Sequence, residues 1–385
     1  MARIGVACTG LGRVHRGYET IAAGLFSALR SQTDMVLLKG GGTAREGEFV
    51  VPNLPRSTSL RWGLTRDSVQ AHRWEQHTFA VGVVPLIAGQ RVRIVHYQDA
   101  ALTGALIRLR RWLGLRFTLL FANGGAHTPE HYAHADAIQV LTRQQYDEAM
   151  AYGIEPDRVF HIPHGLECTH FARPTEYDHK LGRVAHGIPV RAWVVLGVTA
   201  LAMSEKRADW LLREVARLDV PNAFLLLAGQ EGPETGKLRE LAATLLPGRH
   251  AFTTVAPDRV RELYWLADVM VLPSLREGFG LAAIEAATAG TPVVAHDGPH
   301  FRGLLAHDAS FVDMAAEGAL FARLSELHAA PERLIAVADA NRAVVRERFD
   351  WSVLAPAYVA MYGAVGAMKN PVRVAMNDAT SRRTR

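Results

Sequence analysis

Short apolar runs recur along the chain, separated by longer stretches in which apolar and polar positions mix. The runs at 3–8, 35–38, 93–96, 117–122, 137–140 and 159–162 form one set of candidate strands. Those at 193–198, 223–228, 251–255, 269–272, 292–295 and 310–312 form a second. Most are continuous rather than alternating, which is how strands covered on both faces of a parallel sheet read. Helical stretches lie between most of them, so the pattern is a repeated βα unit. Near the end, 331–348 reads as a helix opened by Pro331 and Glu332, a break follows at Phe349-Asp350-Trp351, and a second helix is expected from Ser352 to about Val365.

Two sets of about six strands imply two doubly wound α/β domains. Arg173-Pro174, Gly182, Gly187 and Ile188-Pro189 interrupt the pattern between Leu166 and Pro189. The boundary is therefore expected near 180, with domains 1–180 and 181–351. The length of 385 residues agrees, at ~100–200 residues per domain. Cys8 and Cys168 are the only cysteines, which excludes a disulfide scaffold and a four-cysteine zinc site and suits a cytoplasmic protein. The apolar run at the N-terminus is too short for a signal peptide. The longest runs, 79–89 and 193–203, fall short of the ~18–20 residues of a membrane span.

The net charge of +5 raises the question of nucleic acid, and its distribution answers it. Residues 369–385 carry +4, residues 1–180 carry +4, and residues 181–368 carry −3. The basic excess is largely a short tail, 367–385, expected to be flexible, so no nucleic-acid partner is expected. The modest excess in the first half suits an anionic acceptor or weak contact with a membrane surface. Arg108, Arg110, Arg111 and Arg116 interleave with Leu106, Ile107, Leu109, Trp112, Leu113 and Leu115. That reads either as an interfacial amphipathic helix or as an ordinary crossover helix.

The most informative stretch runs from Val269 to Ala295. It reads as strand, glycine-rich loop, helix, strand. Gly278 and Gly280 let backbone approach a ligand, and a helix starting near Gly280 offers free N–H groups to a diphosphate. Glu277 lies in the loop and Glu285 eight residues on, inside the helix. The two carboxylates can then reach different parts of one extended ligand, such as a sugar and a ribose. The same residues, Gly278-x-Gly280-x-x-Ala283 with Asp297 after the next strand, also fit a dinucleotide fingerprint of an oxidoreductase. That fingerprint normally follows the first strand of its domain, and this one comes late. His127, His131 and His134 have a spacing that would gather imidazoles on a helix, but Thr128-Pro129 reads as a helix start, which leaves His127 outside it. Gly232 to Lys237 has too short a spacer for a phosphate-binding P-loop.

The Glu277-x7-Glu285 stretch resembles the signature of glycosyltransferase family 4, retaining enzymes of the GT-B fold. The resemblance extends to Asp136–Arg143, Tyr152–Gly165, Arg261–Asp268, Arg348–Trp351 and the glycine-rich opening Thr9–Arg13. It implies two Rossmann-like domains facing each other across a cleft, with the helix 352–366 crossing back onto the first. It implies a hexosyltransferase that takes a nucleotide-diphosphate sugar and needs no metal or other cofactor. By the same resemblance Glu277 holds sugar hydroxyls and Glu285 the ribose. The N–H groups of Gly278, Phe279, Gly280 and Leu281 meet sugar and diphosphate. Lys206 neutralises the diphosphate, Gly12 faces the donor, and backbone near Thr254 and Val255 receives the base. Arg13, His15, Asn123 and Gly124 fall on the acceptor side. Two departures stand out. No Arg precedes Lys206, so Arg207 is expected to substitute for it. Asn123 stands where the family often has a histidine, and it cannot carry a proton at neutral pH. These departures motivate an alternative, a non-catalytic protein that binds sugar nucleotides on the same fold. The acceptor and the oligomeric state have no signal in the sequence.

Overall fold

The computed structural model describes residues 2–14, 16–125, 127–174, 177–203 and 206–368. The tail from 369 on, expected to be flexible, and His15, an acceptor-side candidate, lie outside the described residues. Among the described residues the strands form two sheets. The first holds β1 (Ile4–Cys8), β2 (Met35–Lys39), β3 (Glu48–Val50), β4 (Ile94–Tyr97), β5 (Thr118–Ala122), β6 (Ala137–Val140) and β7 (Val159–His161) in the order β3-β2-β1-β4-β5-β6-β7. The second holds β8 (Trp193–Val198), β9 (Ala223–Ala228), β10 (His250–Thr253), β11 (Val269–Leu272), β12 (Val293–His296) and β13 (Phe311–Val312) in the order β10-β9-β8-β11-β12-β13. Every pairing is parallel.

The central strands are buried along their whole length, as their continuous apolar sequences require. Strand β3 breaks this rule and gave no apolar run. It is a half-exposed edge strand carrying Glu48, which pairs with Lys39 of β2. At the other end, Ser310 belongs to a turn of 3-10 helix, so β13 starts one residue later than the sequence suggests. Cys8 and Cys168 are both buried and free.

The chain leaves the first sheet through Pro163-His164-Gly165 and returns at its end. Leu166 pairs in parallel with Asp350, and Asp350 caps the helix Trp351–Ala367 by accepting from Ser352 N (2.8 Å). Its other oxygen accepts from Cys168 N (3.2 Å). This returning helix joins the apolar cluster of β1 and the helix Gly17–Leu29 through Trp351, Leu354, Tyr358, Met361 and Val365. Two of its tyrosines bond into the first sheet. The Tyr362 hydroxyl meets His96 Nδ1 at 2.8 Å, and Gln139 Nε2 donates to the Tyr358 hydroxyl at 2.8 Å.

The arginine-rich stretch forms the crossover helix Ala100–Trp112 between β4 and β5. Arg110 is buried there. It pairs with Asp136 (Nη2 to Oδ1, 3.1 Å) and donates to Phe117 O (2.8 Å), while Asp136 also accepts from Leu119 N (2.8 Å). Removing one member of such a pair strands the other charge in a low dielectric. Arg110→Leu should therefore cost about 3–5 kcal/mol in urea denaturation, and adding Asp136→Asn should recover part of it. A loss under ~1 kcal/mol would mean that water reaches Asp136 and the pair is superficial.

Candidate active site

In a parallel α/β sheet the carboxyl ends of the strands open a crevice where the strand order reverses. In the second sheet that point lies between β8 and β11. The loops after these two strands carry Lys206 and Glu277. Lys206 Nζ donates to Glu277 Oε1 at 2.7 Å, with side-chain exposures of 30% and 13%. The chain then turns through Gly280, whose φ of 77° is left-handed and open to glycine, into the helix Leu281–Ala289. The N–H groups of Gly278, Phe279, Gly280 and Leu281 have no hydrogen-bond partner among the described residues. Four adjacent unpaired donors at the positive end of a helix dipole, next to a lysine, form an anion site.

Deeper in the same helix, Glu285 is 6% exposed and accepts from the Tyr264 hydroxyl at 2.7 Å. Burial pushes its carboxyl up to about 7, with the tyrosine pulling the other way. Across the site stands His300, in the helix Pro299–Arg302 after β12. Its Nε2 is buried without a partner, 3.7 Å from where a Cβ on Gly280 would be. Burial lowers its pKa, opposed by Glu277 and the Phe279 backbone.

The first sheet supplies the facing wall. Its order reverses between β1 and β4, where Tyr18, at the start of the helix Gly17–Leu29, and Gln98, after β4, stand beside Gly124, and Tyr18 also beside Gly125. The Tyr18 hydroxyl lies 3.4 Å from His127 Nε2. The two walls touch. A Cβ on Gly278 would fall 2.2 Å from Gly124 O and 2.6 Å from Gly125 Cα. Gln145 Nε2 bonds both sides, donating to Gly278 O (3.0 Å) and Asn123 O (3.2 Å). Phe279 turns its ring into the junction, edge-on to His164 at 5.3 Å.

Buried polar side-chain atoms without partners gather along both edges. Thr9, Asn53, Gln98 and Asn123 follow strands of the first sheet, and Thr199 and Ser274 follow strands of the second. Residues 180–338 match the family model described as glycosyl transferases group 1, a span that contains Lys206, Glu277 and Glu285. The chain is 33% identical over 174 residues to the D-inositol 3-phosphate glycosyltransferase of Rhodococcus opacus (strain B4). That match covers 42% of this chain and spans 38% of the relative's length. Sucrose-phosphate synthase from Thermosynechococcus elongatus superposes with a TM-score of 0.78 at 18% identity, covering 94% of this chain and 98% of that one. Anabaena HepE, in complex with UDP and glucose, superposes with a TM-score of 0.76 at 15% identity, covering 94% and 100%. The fold is GT-B.

Within the GT-B cleft, two sequence expectations need correction. Arg207 does not reach toward Lys206's partners. Its backbone is left-handed (φ 51°), and its guanidinium lies 4.4 Å over Trp210 and donates to Met314 O (2.6 Å) and Pro273 O (3.3 Å). It buttresses the start of the Glu277 loop instead of facing an anion. Asn123 is fully buried and donates to His127 O (3.0 Å), so it shapes the turn that presents His127 and does not face an acceptor. As the Thr128-Pro129 start implies, His127 lies outside the helical segment, which is a single 3-10 turn, Pro129–His131. Asp297, required by the dinucleotide reading, is exposed and paired with Arg302 at 2.6 Å. Gly278–Ala283 follows β11, not the first strand of its sheet.

The remaining candidates lie along the cleft edge. Gly12 packs against the turn at Gly41, and Arg13 leans on the same turn. Thr254 donates to Gly229 O at 2.7 Å, and Val255 is half-buried against the core after β10. Leu281 reaches across to Gly17 of the first domain, 3.8 Å from a Cβ there. Three residues near the site had no sequence signal strong enough to single them out: Gln145, His300 and Tyr18. Only Gly298-Pro299, a helix start directly after a strand, hints at His300.

The raised carboxyl of Glu285 has a stability consequence. Its folded value of about 7 lies above the ordinary 4.5, so the fold favours the protonated form. That contribution is complete below pH 4.5 and is lost as pH rises through about 7. Between pH 5 and 8, the ligand-free protein should lose up to about 3 kcal/mol relative to Glu285→Gln. Thermal melts of both proteins across that range check it. Parallel curves would mean that Glu285 is solvated.

Proposed function

We propose that the chain is a retaining glycosyltransferase of family 4 that moves a hexose from a nucleotide-diphosphate sugar to an acceptor in the cytoplasm. The observation that carries this is the run of unpaired N–H groups at Gly278–Leu281 beside the Lys206–Glu277 pair. This arrangement has a place for a diphosphate next to a carboxylate that accepts hydroxyls. The group 1 match over Lys206, Glu277 and Glu285 supports it, as do the relatives named glycosyltransferases. HepE, a structural neighbour, is described with UDP and glucose.

On this reading the chemistry is departure of the diphosphate. Lys206 Nζ and the loop amides stabilise charge that grows on it as the sugar–oxygen bond lengthens. The acceptor hydroxyl attacks from the same face, and the leaving diphosphate takes its proton. Glu277 holds the sugar in place, and Glu285 accepts from the ribose. Contact between the two walls at Gly278 excludes water that would hydrolyse the donor. A lysine and a helix terminus balance the diphosphate, so no divalent ion is required.

One observation favours a second reading, a binder without turnover. Arg207 points away, so Lys206 is the cation facing the loop amides among the described residues. Release of nucleotide from a donor panel in the presence of an acceptor extract separates the two, because a binder releases none.

Glu277→Ala should weaken binding of the nucleotide sugar by roughly tenfold or more, while the free nucleotide binds as tightly or more tightly because Lys206 no longer leaves a partner. Isothermal titration with UDP, GDP and ADP and their sugars measures it, and equal loss of both ligands would place Glu277 away from the sugar. Turnover should survive excess EDTA. Lys206→Ala should lower it at least tenfold, about 1.4 kcal/mol of transition-state stabilisation. Activity abolished by EDTA and restored by Mg²⁺ or Mn²⁺ would overturn the role given to Lys206.

A further inference from the structure

On the first domain's edge of the cleft lies a second polar cluster that the chemistry above leaves unused. Its centre is Glu75, on the helix Ser68–Gly89, with a side chain 3% exposed. Arg56 engages both carboxylate oxygens, through Nε (2.7 Å) and its backbone N–H (3.2 Å). His72 Nδ1 stands 3.7 Å away and Arg13 Nη1 4.0 Å away, beyond hydrogen-bond reach. One buried carboxylate thus faces two guanidinium groups and an imidazole. Arg56 alone matches its charge, so Arg13 is in excess. The Arg13 side chain makes no hydrogen bond among the described residues.

The unpaired atoms here are mostly donors. Arg56 Nη2, Asn53 Nδ2 and the Thr9 hydroxyl are buried with nothing to bond, as are Asn53 Oδ1 and His72 Nδ1. They come from the loops after β1 and β3 and from the helices Arg56–Arg61 and Ser68–Gly89, and they surround the glycine turn after β2. A Cβ on Gly41 would lie 2.6 Å from Arg13 Cγ. One on Gly40 would lie 1.8 Å from Thr9 O and 3.4 Å from Asn53 Nδ2. A side chain at either glycine would collide with the Thr9 backbone or with Arg13, so the two glycines let these groups approach one another. Arg13, Arg56 and His72 remain open to solvent, with side-chain exposures of 26%, 25% and 34%. A chain of bonds runs from here to the closed end of the cleft. Gln76 Nε2 lies 3.0 Å from His72 Nε2 and 3.2 Å from Asp99 Oδ1, and Asp99 adjoins Gln98, which packs against Gly124.

We propose that this cluster binds an oxyanion on the acceptor, a phosphate or a carboxylate, beside the hydroxyl that receives the sugar. Arg13 supplies the charge left over beside the paired Glu75, and Arg56 supplies the unpartnered N–H groups of its Nη2. Asn53 and Thr9 supply further hydrogen bonds, in a geometry that an unpaired buried donor set favours filling. The inference rests on the glycosyltransferase reading for the word acceptor; the anion site itself rests on these residues.

The test uses the full chain, Arg13→Gln and Lys206→Ala, each first shown to melt cooperatively. Arg13 is chosen over Arg56 because its side chain is partly exposed and unbonded, so its loss leaves Glu75 paired. Inorganic phosphate and acetate are titrated at constant ionic strength held with chloride. Phosphate or acetate should raise the melting temperature of the wild type and Lys206→Ala alike, and Arg13→Gln should weaken that anion about tenfold or more. Nucleotide binding should be lost in Lys206→Ala and kept in Arg13→Gln. Phosphate stronger than acetate assigns a phosphate acceptor, and the reverse a carboxylate one. An anion effect that follows Lys206 instead of Arg13, or none beyond chloride, overturns the subsite. An Arg13-dependent anion effect in a chain that binds no nucleotide would keep the anion site and refute the glycosyltransferase reading.

Discussion

The site depends on two backbone turns that meet with no room for a side chain between them. Gly278 faces Gly124 and Gly125 so closely that any Cβ would overlap the opposing carbonyl. Each turn follows a central strand of its own parallel sheet, so the contact sets the carboxyl edges of the two sheets face to face. Gln145 fastens it with one amide group shared between carbonyls of both domains. The returning helix Trp351–Ala367 fixes the other side of the junction through Asp350 and its tyrosines. Because the two domains are joined by a narrow hinge and a single returning helix, small changes at this contact would alter the width of the cleft. Its residues therefore constrain the position of Lys206 and Glu277.

Facing two parallel edges together has a cost. Strand ends and helix starts carry polar groups that the sheets do not satisfy, and a narrow cleft removes much of the water that would otherwise serve them. Thr9, Asn53, Gln98, Thr199 and Ser274 all hold buried atoms without partners. Each unmet group is worth about 1–3 kcal/mol in desolvation. The ligand-free closed form is thus held in a state that a polar ligand relieves. Glu285, kept partly protonated by its burial, is the same effect in a titratable group. On the proposed reading, a ribose hydroxyl would replace some of the solvation that burial takes from it.

Much of this was legible in the residues. Continuous apolar runs marked the central strands, and the spacing of Glu277, Gly278, Gly280 and Glu285 marked the loop and helix between β11 and β12. What escaped the sequence was direction and pairing. Nothing in it brings Lys206 to Glu277, which lie 71 positions apart and meet because the strand order places β8 beside β11. Arg207 was misread because its left-handed backbone aims the side chain at carbonyl groups of its own domain. Asn123, placed on the acceptor side by the resemblance, is buried because its side chain bonds within its own turn to His127 O while Gln145 takes its carbonyl. Arg56, His72 and Glu75 follow no motif. They converge because β3, unseen as a half-exposed edge strand, places its following loop beside the helix Ser68–Gly89.

The Lys206–Glu277 pair gives the proposed reaction a direction. In the ligand-free site each group satisfies the other at 2.7 Å. A nucleotide diphosphate alone draws the lysine away and leaves the carboxylate, 13% exposed, without its partner. A nucleotide sugar draws the lysine in the same way but offers the carboxylate sugar hydroxyls in return. The pair therefore favours donor over spent nucleotide by the difference between a satisfied and an unsatisfied carboxylate, on the order of 1–3 kcal/mol. After transfer the sugar is gone, Glu277 competes for Lys206 again, and the product diphosphate loses its cation. An arginine in place of the lysine would hold both oxyanions at once through its fork and weaken that competition. A single ammonium that can serve only one partner well is the better fit to a site that must also let its product go.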